Sequence, residues 1–191
     1  RHLGYDLRGN HPQGRTLVFV GDFVDRGPDS PGVVALVRQL VQTGKAAAIL
    51  GNHEINLLRQ DPKDGSGWFF DARLQSDLRK YPGFARPHDA AERAAIVRFL
   101  SDLPLALERE DLRVIHAAWN APAIAQARRK PLGSVRAAYD AWEDEASQAA
   151  QASRIAERMQ EERLHWPHSL EDSTQHPPFL QAHCDNELNK S

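Results

Sequence analysis

Three short stretches concentrate the side chains that bind cations and move protons. Gly21-Asp22-Phe23-Val24-Asp25-Arg26-Gly27 sets two carboxylates and a guanidinium into one loop, directly after the apolar run 16–20. Gly51-Asn52-His53-Glu54 follows the run 46–50, and His116 follows the run 112–115. Asp22, Asn52 and His116 together offer oxygen and nitrogen donors suited to a divalent metal of intermediate hardness. Two such ions ~3.5 to 4 Å apart lower the pKa of a bridging water and clamp phosphate oxygens, which is metal-assisted hydrolysis. Arg26 carries a planar fork that grips phosphate bidentately, as a lysine does poorly. Taken singly, Asp22 reads as a turn carboxylate and Arg26 as a surface ion pair; the matched strand ends are what favour the metal reading.

GDFVDRG, then GNHE about one strand-helix-strand unit later, then a histidine closing a further strand: this order and spacing resembles the calcineurin-like metallophosphoesterases, most closely their phosphoprotein-phosphatase branch. That branch includes serine/threonine phosphatases, symmetrical diadenosine tetraphosphate hydrolases and the phosphatase domains of some polynucleotide-repair proteins. The resemblance implies an α/β fold, a β-sandwich of two mixed sheets flanked by helices, with a dinuclear site at the carboxyl edge. It implies that Asp22 bridges both ions and that Asn52 and His116 serve the second. His53 is then the general acid, oriented by Asp25, while Arg26 and Asn52 meet the substrate phosphate. A carboxylate on one imidazole nitrogen fixes the tautomer and leaves the other to protonate a departing alkoxide. Glu54 reads as structural, capping or pairing near a helix start. Two divalent ions are the implied cofactors, manganese ahead of iron or zinc.

The reaction so implied is hydrolysis of a phosphomonoester or phosphoanhydride on a phosphorylated protein or nucleotide. No phosphoenzyme is expected, because no nucleophilic Ser or Cys motif appears. Two alternatives stand beside it: a phosphate-binding regulatory relative without catalysis, and a nuclease or polynucleotide phosphatase. The family's opening Gly-Asp-x-His-Gly motif is not in this sequence, which starts Arg1-His2-Leu3-Gly4-Tyr5. Nor do His176 or His183, the latter beside Cys184, end a strand-like run, as a late metal-binding histidine in a Gly-His context would. The sequence therefore reads as one domain over 1–191, missing the first strand and the closing strands. The other histidines, His2, His11, His88, His165 and His168, lie in polar segments and read as surface residues.

Positioning these groups requires strands that end at one edge. The run 16–20 reads as a buried strand, because β-branched and aromatic residues break abruptly into glycine and charge. Asp29-Ser30-Pro31 offers a helix cap with proline in the first turn. Val33, Val34, Leu36, Val37, Leu40 and Val41 then recur at helical spacing until Gly44. A strand, a helix and a second strand at 46–50 make a βαβ crossover, so both strands are parallel and both loops share an edge. A short helix is expected over 54–60 and a loop over 61–67. Trp68-Phe69-Phe70 reads as core or hinge packing, with a cleft lining as the second reading. Ala90 to Leu103 is an amphipathic helix stopped by Pro104, followed by a hairpin of 105–107 and 112–115. Residues 121–165 form a helical insertion or lid with the narrow apolar stripe Val135, Tyr139 and Trp142, and the tail from Trp166 is irregular.

Composition narrows the partners. A chain of 191 residues with net charge −2 carries no basic stripe for nucleic acid beyond Arg128-Arg129-Lys130, which makes nucleic acid a disfavoured partner. A single cysteine excludes an intrachain disulfide and a thiolate zinc site. No run reaches the ~20 apolar residues of a membrane span, so a soluble cytoplasmic protein without membrane contact is the expectation.

Overall fold

The computed structural model describes residues 3–6, 8–131 and 133–165. Strand β1 (Leu17–Phe19) leads through the Asp-rich loop to helix α1 (Ser30–Gln42) and back to strand β2 (Ala46–Ala48). The two strands pair in parallel, Leu17 with Ala46, Val18 with Ala47 and Phe19 with Ala48, as a crossover helix demands. Asp29 caps α1 by accepting the Gly32 N–H at 2.8 Å, and Pro31 sits in the first turn, where its missing N–H leaves no helical bond unmade. Val34, Val37 and Leu40 bury one stripe of α1, and Ala46, Ala48, Ile49 and Leu50 bury the β2 segment. Each fully buried aliphatic side chain contributes about 1.5–3 kcal/mol.

The reading of β1 as a buried strand needs correction. Val18 and Val20 remain 39% and 50% exposed. Two residues apart, they fall on the same face of the extended segment, and that face stays open to solvent.

Helix α2 (Asn52–Leu58) begins two residues earlier than its sequence pattern suggests, because Asn52 and His53 form its first turn. A 3-10 turn at Ser66–Trp68 closes the loop after it, and helix α3 (Asp71–Lys80) follows. The sequence gives no apolar stripe for α3; its one fully buried residue is Asp77. That carboxylate accepts the Gly65 and Gly67 N–H groups at 3.1 and 2.8 Å through Oδ2, and Arg73 Nη2 at 3.0 Å through Oδ1. A charged anchor here does what an apolar stripe does elsewhere: it ties the helix to the turn. Helix α4 (Ala90–Ser101), capped by Asp89, buries Ile96, Phe99 and Leu100.

Strands β3 (Ala106–Arg109) and β4 (Leu112–Ile115) form an antiparallel hairpin. Of the expected two mixed sheets, the described residues thus carry one parallel and one antiparallel pair. The pairs meet end to end, since the Leu50 N–H donates to the Pro104 carbonyl at 3.0 Å and His116 Nδ1 lies 2.7 Å from the Val20 carbonyl. Helix α5 (Ala121–Ala127) completes the compact unit that runs to Arg136. A second unit from Ala137 holds most of helix α6 (Val135–Ala152) and helix α7 (Ile155–His165), with Ala138 and Ile155 buried. No helix among the described residues is long and apolar enough to cross a membrane.

Asp77→Ala is expected to strand two buried N–H groups and lower the unfolding free energy by about 2–4 kcal/mol. Urea titration of the variant against the parent chain measures it, and an unchanged midpoint would assign the order of the turn to other contacts.

Candidate active site

The loop after β1 is unusual backbone. Asp22, Asp25 and Arg26 adopt φ of 54°, 70° and 59°, the left-handed region that residues with a Cβ avoid. Such conformations cost of order 1–3 kcal/mol each and persist only where the surroundings over-determine them. Every N–H from Asp22 to Gly27 is bonded. Asp22, Phe23 and Val24 donate to the Glu54 carboxylate at 2.8, 3.0 and 3.3 Å. Asp25 donates to Ser30 Oγ at 3.0 Å, Arg26 to the Gly65 carbonyl at 3.2 Å, and Gly27 to the Asp25 carbonyl at 2.6 Å.

Glu54, fully buried, also accepts the Gly51 N–H at 2.8 Å. It thereby ties the loop after β1 to the start of α2, which goes well beyond local capping. Gly51 has no side chain to return a bond, so only half of a capping box exists. Burial pushes the Glu54 carboxyl above its usual range, while the N–H bonds from Gly51, Asp22 and Phe23 pull the other way. The two loops touch so closely that a Cβ on Gly51 would lie 2.3 Å from Asp22 Oδ1, and one on Gly21 would lie 2.4 Å from the Gly51 nitrogen. Only glycine fits either position.

Two histidine-carboxylate pairs result. Asp22 Oδ1 accepts the His53 N–H at 3.2 Å, and its Oδ2 lies 3.3 Å from His116 Nε2. A carbonyl only accepts, so His116 Nδ1 donates to Val20, and Nε2 is the nitrogen that faces the Asp22 carboxylate. A carboxylate oxygen and an imidazole nitrogen at that distance are bridged by a proton or a cation, and this donor pair fits a divalent metal of intermediate hardness. Among the described residues no group of three or more His, Cys, Asp or Glu side chains closes on a point. Asn52, the third expected ligand, stands exposed in the first turn of α2, where it presents an amide.

In the second pair, His53 Nδ1 lies 2.7 Å from Asp25 Oδ2, and the two side chains are 12% and 3% exposed. The other Asp25 oxygen accepts the Trp68 indole N–H at 2.6 Å. Arg26 points largely into solvent, its Nε 3.9 Å from Asp64 Oδ2. Asp64 in turn accepts from Lys80 Nζ at 2.7 Å and Tyr81 Oη at 2.5 Å, and these bonds hold its carboxyl below the usual carboxylate range. Asp22, His53, Asp25 and His116 are thus brought together, with Asn52 and Arg26 at the rim. Trp68 is buried, as the core-packing reading expects, but its bond to Asp25, the anchoring by Asp77 and the inter-loop role of Glu54 escape sequence reasoning. A tryptophan behind a glycine-rich loop is the faint signal for the first, and nothing in the sequence marks the second. Of the remaining histidines, His11 bonds the Leu3 carbonyl at 3.0 Å. His2, His168, His176, His183 and Cys184 lie outside the described residues.

An α/β core with a carboxylate-rich loop, two histidine-carboxylate pairs and strand ends converging on them defines the phosphoesterase class of sites. The calcineurin-like phosphoesterase family model matches residues 5–153, and the chain belongs to that family. Over 47 residues it is 53% identical to the symmetrical bis(5'-nucleosyl)-tetraphosphatase of Ralstonia nicotianae, covering 25% of this chain and 17% of that protein. It is 53% identical over 62 residues to the asymmetrical bis(5'-nucleosyl)-tetraphosphatase PrpE of Anoxybacillus flavithermus, covering 31% and 25%. The longer match, 32% identity over 127 residues to the PrpE of a Geobacillus species, covers 61% of this chain and 48% of that protein. The matches thus span at most about half the length of these curated relatives. No solved structure gives a significant match.

Glu54→Gln would set an amide nitrogen against backbone donors and leave two of them unbonded, a loss of about 2–4 kcal/mol in stability. Chemical unfolding of the metal-free protein is the measurement, and wild-type stability would show that the two loops are held otherwise.

Proposed function

We propose that this protein hydrolyses phosphoesters and phosphoanhydrides by metal-assisted attack of water, with dinucleoside polyphosphates as its substrate class. The observation that carries the reading is the pair of dyads on one loop: Asp22 with His116, and Asp25 with His53. Relatives named as both symmetrical and asymmetrical bis(5'-nucleosyl)-tetraphosphatases support the substrate class. Asp22, Asn52 and His116 would hold the divalent ions, manganese first among them, with Asp22 as the shared carboxylate. When bound, the ions neutralise phosphate charge and make water nucleophilic at neutral pH.

The chain's own groups do the rest. Arg26, at the rim and only loosely paired with Asp64, swings to grip phosphate oxygens, and the Asn52 amide adds a neutral contact. Asp25 holds the Nδ1–H of His53, so the ring in its imidazolium form donates from Nε2 to the oxygen that leaves as the P–O bond breaks. The same reading treats β1–β2 and β3–β4 as parts of a two-sheet sandwich, with residues 121–165 as its helical insertion.

Product analysis tests the substrate and the bond cleaved. With manganese and bis(5'-adenosyl) tetraphosphate, two ADP mean symmetrical cleavage and ATP plus AMP mean asymmetrical cleavage. Tight phosphate binding with no turnover of this compound or of p-nitrophenyl phosphate would favour a non-catalytic relative instead. Asp22→Asn is expected to lose bound manganese and turnover together, read by elemental mass spectrometry beside the assay. His53→Ala should keep its metal while kcat falls by roughly 10² to 10⁴; loss of metal in that variant would make His53 a ligand.

A further inference from the structure

We propose that Trp68 is a positioning residue for the proton donor, its indole N–H fixing the Asp25 carboxylate that orients His53. The inference rests on the reading of His53 as general acid. Asp25 is on a left-handed loop residue, so no regular element dictates where its carboxylate points. Terminal rotation of a carboxylate is a soft, two-fold torsion. What holds this one is a hydrogen bond on each oxygen: Oδ2 to His53 Nδ1 at 2.7 Å and Oδ1 from Trp68 Nε1 at 2.6 Å.

The indole suits the task because it is a donor only. It can satisfy a buried carboxylate oxygen without accepting the proton that His53 must handle. Trp68 is itself 1% exposed, edge-packed on Phe69 with ring centroids 5.3 Å apart. It ends the 3-10 turn whose Gly65 and Gly67 N–H groups Asp77 binds. A continuous path therefore runs from Asp77 through the turn and Trp68 to Asp25 and His53. Without the indole N–H, Oδ1 would be a buried acceptor with no partner, and the carboxylate would turn toward other donors.

The test uses leaving-group dependence, which packing alone does not alter. Phenolate needs a proton as it departs, whereas p-nitrophenolate is a far weaker base and does not. Two changes remove the donor in the manganese-loaded chain: Trp68→Phe, and site-specific replacement of Trp68 by β-(3-benzothienyl)alanine, which keeps the bicyclic shape and lacks the N–H. The kcat ratio of phenyl phosphate to p-nitrophenyl phosphate is expected to fall by roughly 10-fold in both, with KM and metal content unchanged. In an Asp25→Asn background neither change should lower that ratio further. Equal losses on both esters, or a full additional loss in the Asp25→Asn background, would make Trp68 a packing residue and overturn the inference. A leaving-group effect in His53→Ala with none in either Trp68 variant overturns it alone. If His53→Ala shows no such effect, or the unaltered chain hydrolyses neither ester, the general-acid reading and the inference fall together.

Discussion

Four backbone N–H groups from two loops converge on one buried carboxylate, and the rest of the site depends on that convergence. Glu54 takes Asp22, Phe23 and Val24 from the loop after β1 and Gly51 from the start of its own helix. Desolvating a carboxylate is unfavourable, and here it raises the carboxyl's proton affinity. The four N–H dipoles offset that penalty, and the carboxylate in turn satisfies donors that have no helix or sheet partner. Its effect is to define one geometry for two segments that lie thirty residues apart in the chain.

That geometry explains the strained residues. Asp22, Asp25 and Arg26 hold left-handed conformations because each of their N–H groups has a partner outside the loop. The resulting twist sends Asp22 toward His116 and Asp25 toward His53, so neighbouring carboxylates serve different partners. A second buried carboxylate, Asp77, repeats the device on the other flank, where it holds the turn that bears Trp68. The site is thus built from loops held by buried carboxylates, beside the two short strand pairs that the described residues form.

Membership of the calcineurin-like phosphoesterases and the layout of the two dyads point the same way. On the proposed reading, the Asp22–His116 dyad would face the cation and the Asp25–His53 dyad would deliver the proton. Such a division would give metal binding and proton transfer to different histidines. Both are set by what Nδ1 touches: a carbonyl for His116 and a carboxylate for His53.

Much of this was legible in the residue order. Motif spacing brought out Asp22, Asp25 and His53 together with His116, and helical periodicity with Asp29 and Pro31 located α1 to within a residue. The parallel pairing of β1 with β2 followed from the crossover, since a helix between two strands returns the chain in the same direction. Helix α3 did not show, because its buried anchor is an aspartate and periodicity methods count apolar residues. The exposed flank of β1 did not show either: a β-branched run looks the same whether or not a neighbour covers it. By itself, then, the sequence determined which chemical groups exist and which local elements carry them, through short-range spacing and caps. Only the tertiary structure decided that Glu54 would join two loops, that Trp68 would hold Asp25 and that His116 would meet Asp22. Each of those contacts links residues far apart in the chain, and their partners are chosen by packing and desolvation, which no local pattern records.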